Sequence, residues 1–533
     1  MSNVLSKEGP RSPFPVADLK AGFLVFLIAL PLSLGIAMAS GFPPIAGVLT
    51  AIIGGLIVTF LGSARLTIKG PAAGLIVIAL GAVQELGGGD PMLGYRRALA
   101  VGAVAACVQI GLALLGAASI GVVMSPSVVH GMLAAIGVII ISKQAHTLLG
   151  VAPEAKEPLE LLAEIPNSIA HSNPEILLLG TLSLLILFGW PLIRRRWANA
   201  IPAPVVVLVV AVPLSLWLDL DHSHAYQFLS HQFHVGPEFL VQLPGSLLDA
   251  FVFPDFSMVF SAASLKYVVM FALVGTIEST LSVLAVDSMD PEKRPSNLNR
   301  DLLALSMGNL CSSLVGGLPM ISEIVRSKAN VDAGAQSRWA NFFHGAFLLM
   351  FVALAPGLLH EIPLAALAAM LVYTGARLAS PRELWHVKQI GLDQLALFVT
   401  TLIITLATDL LIGVAAGLVL KVILHRVRGA TFTQIFRARV EKSQQGSELR
   451  LTLHGAAAFT SLISVRKSLA DLDPSFRKVV IDVSDAALVD HTFLSRLEGL
   501  SNEWPNVELE VVGIEALTPH SPHPHSTRRR TAS

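Results

Sequence analysis

The sequence predicts an α-helical polytopic membrane protein of about fourteen transmembrane segments in a seven-plus-seven inverted repeat, followed by a small cytoplasmic α/β domain. Three observations carry that reading. Of 533 residues, 53% are hydrophobic and only 14% charged, a balance too apolar for an ordinary soluble enzyme. Apolar runs of about 20 residues, the length that crosses a bilayer, recur between residues 20 and 425. Beyond residue 430 the pattern shifts to short strand-like runs alternating with helical ones, as in an α/β unit with a partly parallel sheet.

In chain order, residues 1–16 are polar and no small-residue cleavage site follows the first apolar stretch, so a cytoplasmic segment rather than a removed leader is expected, with Asp18 opening the first helix. Spans follow near 20–39, 43–62, 98–118, 126–148, 175–193, 201–218, 264–286, 300–316, 340–356, 362–378, 390–407 and 409–425. Two further segments, 70–84 and 320–336, are too short or too polar to cross alone and are punctuated by Gly or Pro. They stand third and tenth in the series. Those are corresponding places in two groups of seven, and because seven is odd the second group inserts inverted. Paired, interrupted segments in inverted halves point to a transporter site near the bilayer midplane. The membrane domain therefore covers 17–428 and the α/β domain 429–516, and the Pro/His/Arg-rich tail 517–533 is expected to be disordered.

Loop charge orients the chain. Lys and Arg collect in alternate loops (Arg65 and Lys69; Arg194, Arg195 and Arg196; Lys293, Arg294 and Arg300; Arg338; Arg377, Arg382 and Lys388), whereas the connection 219–262 has neither. By the positive-inside rule both termini are cytoplasmic and the protein is a multi-pass protein of the cytoplasmic (inner) membrane. Arg96 and Arg97, at an outer helix end, are the exception. Formal net charge is zero, and with no basic face interleaved with aromatics no nucleic-acid partner is expected; the surrounding partner is lipid. Cys107 and Cys311 lie inside apolar runs and read as packing residues, not as a disulfide or metal site. His222, His224, His231 and His234 share an outer loop at spacings that match no metal motif, so neither metal nor cofactor is expected.

Charge inside the membrane costs at least about 2.5 kcal/mol per residue unless it faces a partner or a polar cavity. Glu278 stands in the middle of an apolar helix, and Glu323 and Arg326 fall three apart in the tenth segment. Lys69 precedes Pro71 by two residues, and proline favours a helix start. If the short helices begin near Pro71 and Val325, their free amides and positive dipole ends converge on the midplane from opposite sides and can hold an anion. Gly70, Ala72, Ala73 and Gly74 allow close backbone approach, Ser322 and Ser327 offer hydroxyls, and Arg326 supplies a planar donor fork suited to an oxyanion. Lys69 and Arg326 against Glu278 and Glu323 leave the empty site near neutral. An incoming monoanion then calls for a proton or sodium ion at Glu278, the candidate coupling residue.

The stretches "DLKAGFLVFLIALPLSLGIAMASG", "GPAAGL", "GTIESTLSVLAVDSMDPEKR" and "GNLCSSLVGGLPMISEIVRSKANVDAGA" resemble the SulP family of sulfate-permease-type anion transporters, and the C-terminal unit resembles a STAS domain. The resemblance covers essentially the whole chain and is nearest to a bacterial branch some of whose members are linked to carbonic anhydrase, which points to bicarbonate. It implies core and gate domains, an elevator-like movement and a homodimer. It places substrate at Gly70, Pro71, Ala72, Ala73, Arg326 and Ser327, and a coupling ion at Glu278 and Ser282. Ile324 and Leu32 stand where polar residues occur in relatives, which favours a proton over sodium. In the STAS-like unit, Thr492 of "VDHTF" matches a phosphorylation acceptor, although the motif is degraded.

The expected function is thus secondary active transport of a small inorganic anion, bicarbonate or sulfate, by proton or sodium symport, and not enzymatic catalysis. An uncoupled anion channel, or a voltage-responsive motor-like protein of the same fold, is the alternative. A signalling domain on a mere anchor is disfavoured, because an anchor needs no broken helices.

Overall fold

A computed structural model describes residues 16–530 apart from 120–123, 156, 194, 196–197, 199–200, 229–230, 244–249, 437–438, 446–447, 459–460, 471–475, 477 and 504–506. The segment 1–15, Arg194 and Arg196 therefore lie outside the described residues.

The first group of helices is α1 (Val16–Ala39), α2 (Pro44–Leu61), α3 (Ala73–Gly87), α4 (Pro91–Leu114), α5 (Pro126–Leu149), α6 (Pro174–Leu192) and α7 (Ala203–Trp217). The second is α8 (Ala262–Met289), α9 (Leu298–Val315), α10 (Ile324–Asp332), α11 (Trp339–Leu354), α12 (Leu364–Leu378), α13 (Leu392–Ala407) and α14 (Leu410–Val427). Proline opens α2, α4, α5 and α6, where its missing N–H is one that a helix start leaves free. Asp90, Asn173, Asn297 and Asp409 cap α4, α6, α9 and α14 by accepting first-turn amides. α5 lies along α12, its counterpart seven helices on.

The two interrupted segments differ from a plain pair of helix starts. Each enters as a strand, β1 (Ile68–Pro71) and, past a hairpin of β2 (His224–Phe228) and β3 (His231–Val235), β4 (Met320–Glu323). β1 and β4 pair antiparallel, with Lys69 opposite Ser322 and Gly70 opposite Ile321. The tenth segment is therefore helical only from Ile324. A strand ladder suits the place, because backbone that crosses at membrane depth has no water to bond to and must be satisfied by protein. Side chains complete it. Ser327 Oγ accepts the Ile68 amide at 2.8 Å, Asn309 Oδ1 accepts that of Met320 at 2.6 Å, Ser279 Oγ that of Ser322 at 3.2 Å, and Asn341 Oδ1 that of Lys69 at 3.3 Å. Beside the ladder α2 widens into one π turn, Gly54–Val58, the kind of insertion common at functional sites. There Gly55 meets Gly345 of α11 backbone to backbone, with no room for a Cβ on either.

The exceptions to the charge rule have partners. Arg97 donates to the Leu86 carbonyl at 2.7 Å and stands 3.6 Å from Asp255, and Arg96 donates to the Phe253 carbonyl. Cys107 and Cys311, expected to pack, instead lie exposed on the helix surface.

The C-terminal domain is a seven-stranded sheet of β5 (Arg439–Gln445), β6 (Glu448–Ala457), β7 (Lys478–Asp482), β8 (Ala486–Val489), β9 (Glu508–Val512), β10 (Thr518–Pro519) and β11 (Arg528–Arg529). β6 pairs parallel with β7 and β8, and β7 parallel with β9, while β5 joins antiparallel. α15 (Ser461–Ala470) and α16 (His491–Glu503) complete the domain. The tail, expected to be disordered, pairs through β11 with β8, and Ser521 Oγ donates to the Ile390 carbonyl at 2.6 Å.

A buried ionic joint fastens this domain to the last membrane helices. Lys421 Nζ of α14 lies 3.0 Å from Asp490 Oδ2 and 2.7 Å from Thr492 Oγ1. Asp393 of α13 takes Arg428 Nη1 at 2.8 Å and the Thr527 hydroxyl at 3.0 Å. Burial pushes the Asp490 carboxyl up, but Lys421 and His425 outweigh it and hold it below the usual carboxylate range.

Candidate functional site

A strand sends successive side chains to opposite faces, and the β1–β4 ladder sorts the expected site residues accordingly. Ile321 and Glu323 face one way, into a cavity of about 560 Å³. Lys69 and Ser322, opposite one another in the register, face the other way. There Lys69 Nζ meets Asp301 Oδ2 of α9 at 2.5 Å and Ser322 Oγ at 2.6 Å, all three buried. Asp301 was not legible as a partner, since "NRDLL" reads as an ordinary first helical turn. Lys69 is thus neutralised inside the scaffold, and neither it nor Ser322 lines the cavity.

The cavity ends at the start of α3 and α10. Its inner wall is Ala73, Gly74, Glu278, Ser282 and Glu323. Glu278 and Ser282, four apart on α8, share one face of that helix. The Glu278 carboxylate lies over Gly74, where a Cβ would overlap it, and Oε1 of Glu278 has no hydrogen-bond partner among the described residues. The Ala73 amide points to the Glu323 carboxylate. Of the amides at the α3 start, an anion-attracting feature, that of Ala73 thus faces one of the chain's own carboxylates, and a second carboxylate lies over Gly74. Gly74→Ala is expected to displace the Glu278 side chain with little loss of thermal stability, as a melting measurement will show.

Of the expected substrate-binding set, Ala73 reaches the cavity, while Gly70, Pro71, Ala72, Ser327 and Arg326 stand behind its wall. Of the expected coupling set Glu278, Ser282 and Glu323 all reach it. Ser327 ties α10 to β1, accepting from the Ile68 amide and donating to the Glu323 carbonyl. Arg326 is fully buried, with Nε, Nη1 and Nη2 unbonded among the described residues. Its Nη1 lies against the Gly70 backbone, and a Cβ there would come within 2.6 Å. His344 of α11, fully buried with neither ring nitrogen bonded among the described residues, is within electrostatic reach of Arg326. Sequence reasoning missed it, because one histidine in "NFFHGAF" gives no spacing signal.

Thr492 stands in the first turn of α16, buried and bonded to Lys421. In the β2–β3 hairpin, His234 and His231 lie at opposite ends of β3, and His222 turns to Asp219 at 2.8 Å.

Two interrupted elements that pair as strands and border a cavity are the arrangement from which a transporter site is built. The sulfate permease family model matches residues 16–403. This chain belongs to the sulfate permease family. It is 27% identical over 511 residues to the putative sulfate transporter YvdB of Bacillus subtilis, covering 94% of this chain and 91% of that one. It is 26% identical to the bicarbonate transporter BicA of Synechocystis, over 76% of this chain and 69% of that one. The solved transmembrane domain of a cyanobacterial BicA superposes with TM-score 0.61 at 24% identity, over 75% of this chain and 97% of that one, and murine Slc26a9 with TM-score 0.67 at 16% identity, over 94% and 86%. The sulfate permease fold is thereby established, with an α/β domain after its helices. The family is one of anion transporters in the membrane, not of enzymes.

Proposed function

We propose that this sulfate permease family member is a secondary active transporter that brings bicarbonate or sulfate across the cytoplasmic membrane, as a homodimer, with a proton or sodium ion moving alongside and an elevator-like displacement of the core against the gate. Both termini are placed in the cytoplasm. The observation that carries the reading is the charge count at the inner end of the cavity. Asp301 cancels Lys69, so Arg326 alone stands against Glu278 and Glu323, and the site bears a net −1 when all three are ionised. An anion entering such a site meets repulsion in a poorly solvated place, unless a cation neutralises a carboxylate first. The carboxylates facing the α3 amides then act as stand-ins that give way to the substrate. With Ile324 where relatives carry a sodium-site hydroxyl, the neutralising cation is read as a proton. The cavity is walled by α3, α8 and α10 on one side and by α5 and α12 on the other, which suits a moving core against a fixed gate. Thr492 is assigned to the interdomain joint; an acceptor role would require the domain to undock.

Flux into proteoliposomes under separately imposed proton and sodium gradients, with bicarbonate and sulfate as substrates, tests the reading. A carrier saturates and follows one gradient, whereas a channel passes current without stoichiometric coupling. Arg326→Ala is expected to weaken anion binding by about tenfold to a hundredfold, since it removes the cation that stands behind the site against its two carboxylates and a charge-assisted bond is worth about 1.5–3 kcal/mol. Substrate-induced thermal shift measures this directly, and an unchanged affinity would refute the role given to Arg326.

A further inference from the structure

The cavity does not end among membrane helices. Away from the crossing, its wall includes Leu462 of α15 and Ser495 and Arg496 of α16, together with Lys293 from the loop between α8 and α9.

We infer that the C-terminal domain forms part of the anion path, and that Arg496, with Lys293, makes an anion-attracting mouth at its cytoplasmic end. The inference deepens the transport reading above and rests on it for its biological meaning. Three features support it. First, Arg496 lies four residues, about one helical turn, after Thr492, whose hydroxyl is held by Lys421 of α14, and Asp490 just before α16 pairs with the same lysine. The guanidinium is thus carried on a helix anchored to α14. Second, the charges along the cavity are ordered. Glu278 and Glu323 stand at the inner end, while Lys293 and Arg496 stand at the outer one. Two acidic groups share the outer region. Asp287 turns its oxygens to the amide and hydroxyl of Ser296 at 2.8 and 2.7 Å, and Glu383 lies 3.7 Å from His130, in a group that includes His386 and Arg496. Third, a narrow cleft with low-dielectric walls focuses the field of such groups and raises the local concentration of the opposite charge by about ten- to a thousandfold. Lys293 and Arg496 thus balance the two acids of the outer region, whereas the floor presents two carboxylates with no cation among the described residues of its wall. The mouth is therefore the less negative end, and these two cations are the groups there that hold an incoming anion.

A labelling experiment separates this from a structural role. Ala285→Cys places a thiol on α8 in the cavity wall between mouth and floor, in a full-length protein whose Cys107 and Cys311 are replaced by serine. The rates of reaction with an anionic sulfonatoethyl and a cationic trimethylammonioethyl thiosulfonate reagent, added from the side of the C-terminal domain, are each divided by the rate with a free small thiol. The anionic-to-cationic ratio is expected to fall about tenfold or more on Arg496→Glu, to be retained in Arg496→Lys, and to converge with the parent in about 1 M salt, where screening acts within about 3 Å. Undocking of the domain would open the path and speed both reagents, whereas Arg496→Glu in a docked domain slows the anionic reagent and speeds the cationic one. An unchanged ratio in Arg496→Glu at low salt, or no labelling of Ala285→Cys from that side, overturns the inference. Because the readout is chemical modification and not flux, it stands or falls separately from the transport assignment: a protein that shows the Arg496 effect yet carries no anion would refute only the assignment.

Discussion

Glu278→Gln is expected to abolish gradient-driven accumulation while leaving the folded protein and passive exchange of anion in place. A proton that moves with a monoanion down a gradient of one pH unit supplies about 1.4 kcal/mol, which is about tenfold accumulation of the anion. The wild type under a one-unit gradient should therefore concentrate substrate about tenfold, and the variant about onefold. Glutamine keeps the volume of the side chain that lies over Gly74 and permanently mimics the neutral state, so the anion still meets Arg326 against one carboxylate instead of two. What disappears is the dependence of site charge on the coupling cation. Accumulation in proteoliposomes with an imposed gradient, set beside exchange of labelled for unlabelled anion without one, gives both quantities. Accumulation that survives in Glu278→Gln would remove Glu278 from the coupling role and shift attention to Glu323, which lines the same inner wall.

How much of this could be read from the sequence follows from the range of each interaction. Helix spans were legible because their signal is local, about 20 apolar residues with Pro or Asn at the start. The interruption at 70–84 and 320–336 was legible for the same reason, and it located the crossing correctly. The strand ladder was not. "TIKGP" and "MISE" are each too short to announce a strand, and only their meeting in space makes one. That single omission accounts for the misplacement of Lys69 and Ser322. Treated as helix-start residues both seemed free to face an anion, whereas strand alternation turns them away from the cavity and toward Asp301. Glu278 and Glu323 stood out because a carboxylate in an apolar run is conspicuous whatever its partners, and Ser282 came from the family resemblance; all three line the cavity. The joint at Lys421, Asp490 and Thr492 was out of reach, since it links residues about 70 apart across two domains. The tail misled by composition: Pro and His argue for disorder, yet two short strands suffice to seat it on β8.

Asp301→Asn provides the sharpest test of the scaffold role assigned to Lys69. With its carboxylate replaced by an amide, the buried lysine keeps hydrogen-bond acceptors but loses its counter-charge, and breaking one partner of a buried pair costs about 3–5 kcal/mol. The variant should melt well below the wild type in detergent. Asp301 also accepts the Ala64 amide at 3.1 Å, so part of any loss belongs to that bond, and a cycle is needed to isolate the ion pair. The double variant Lys69→Met with Asp301→Leu removes both charges and both desolvation costs, and such replacements are often neutral in stability; it should recover most of what Asp301→Asn loses. The same protein then decides a functional point. If Lys69 is scaffold, the double variant still binds anion, because Arg326 and the α3 amides are untouched. If Lys69 instead holds substrate directly, as its place before Pro71 suggests from sequence alone, the double variant will be stable and unable to bind. Melting temperature and substrate-induced shift, measured together, distinguish a lysine that builds the crossing from one that serves the passing ion.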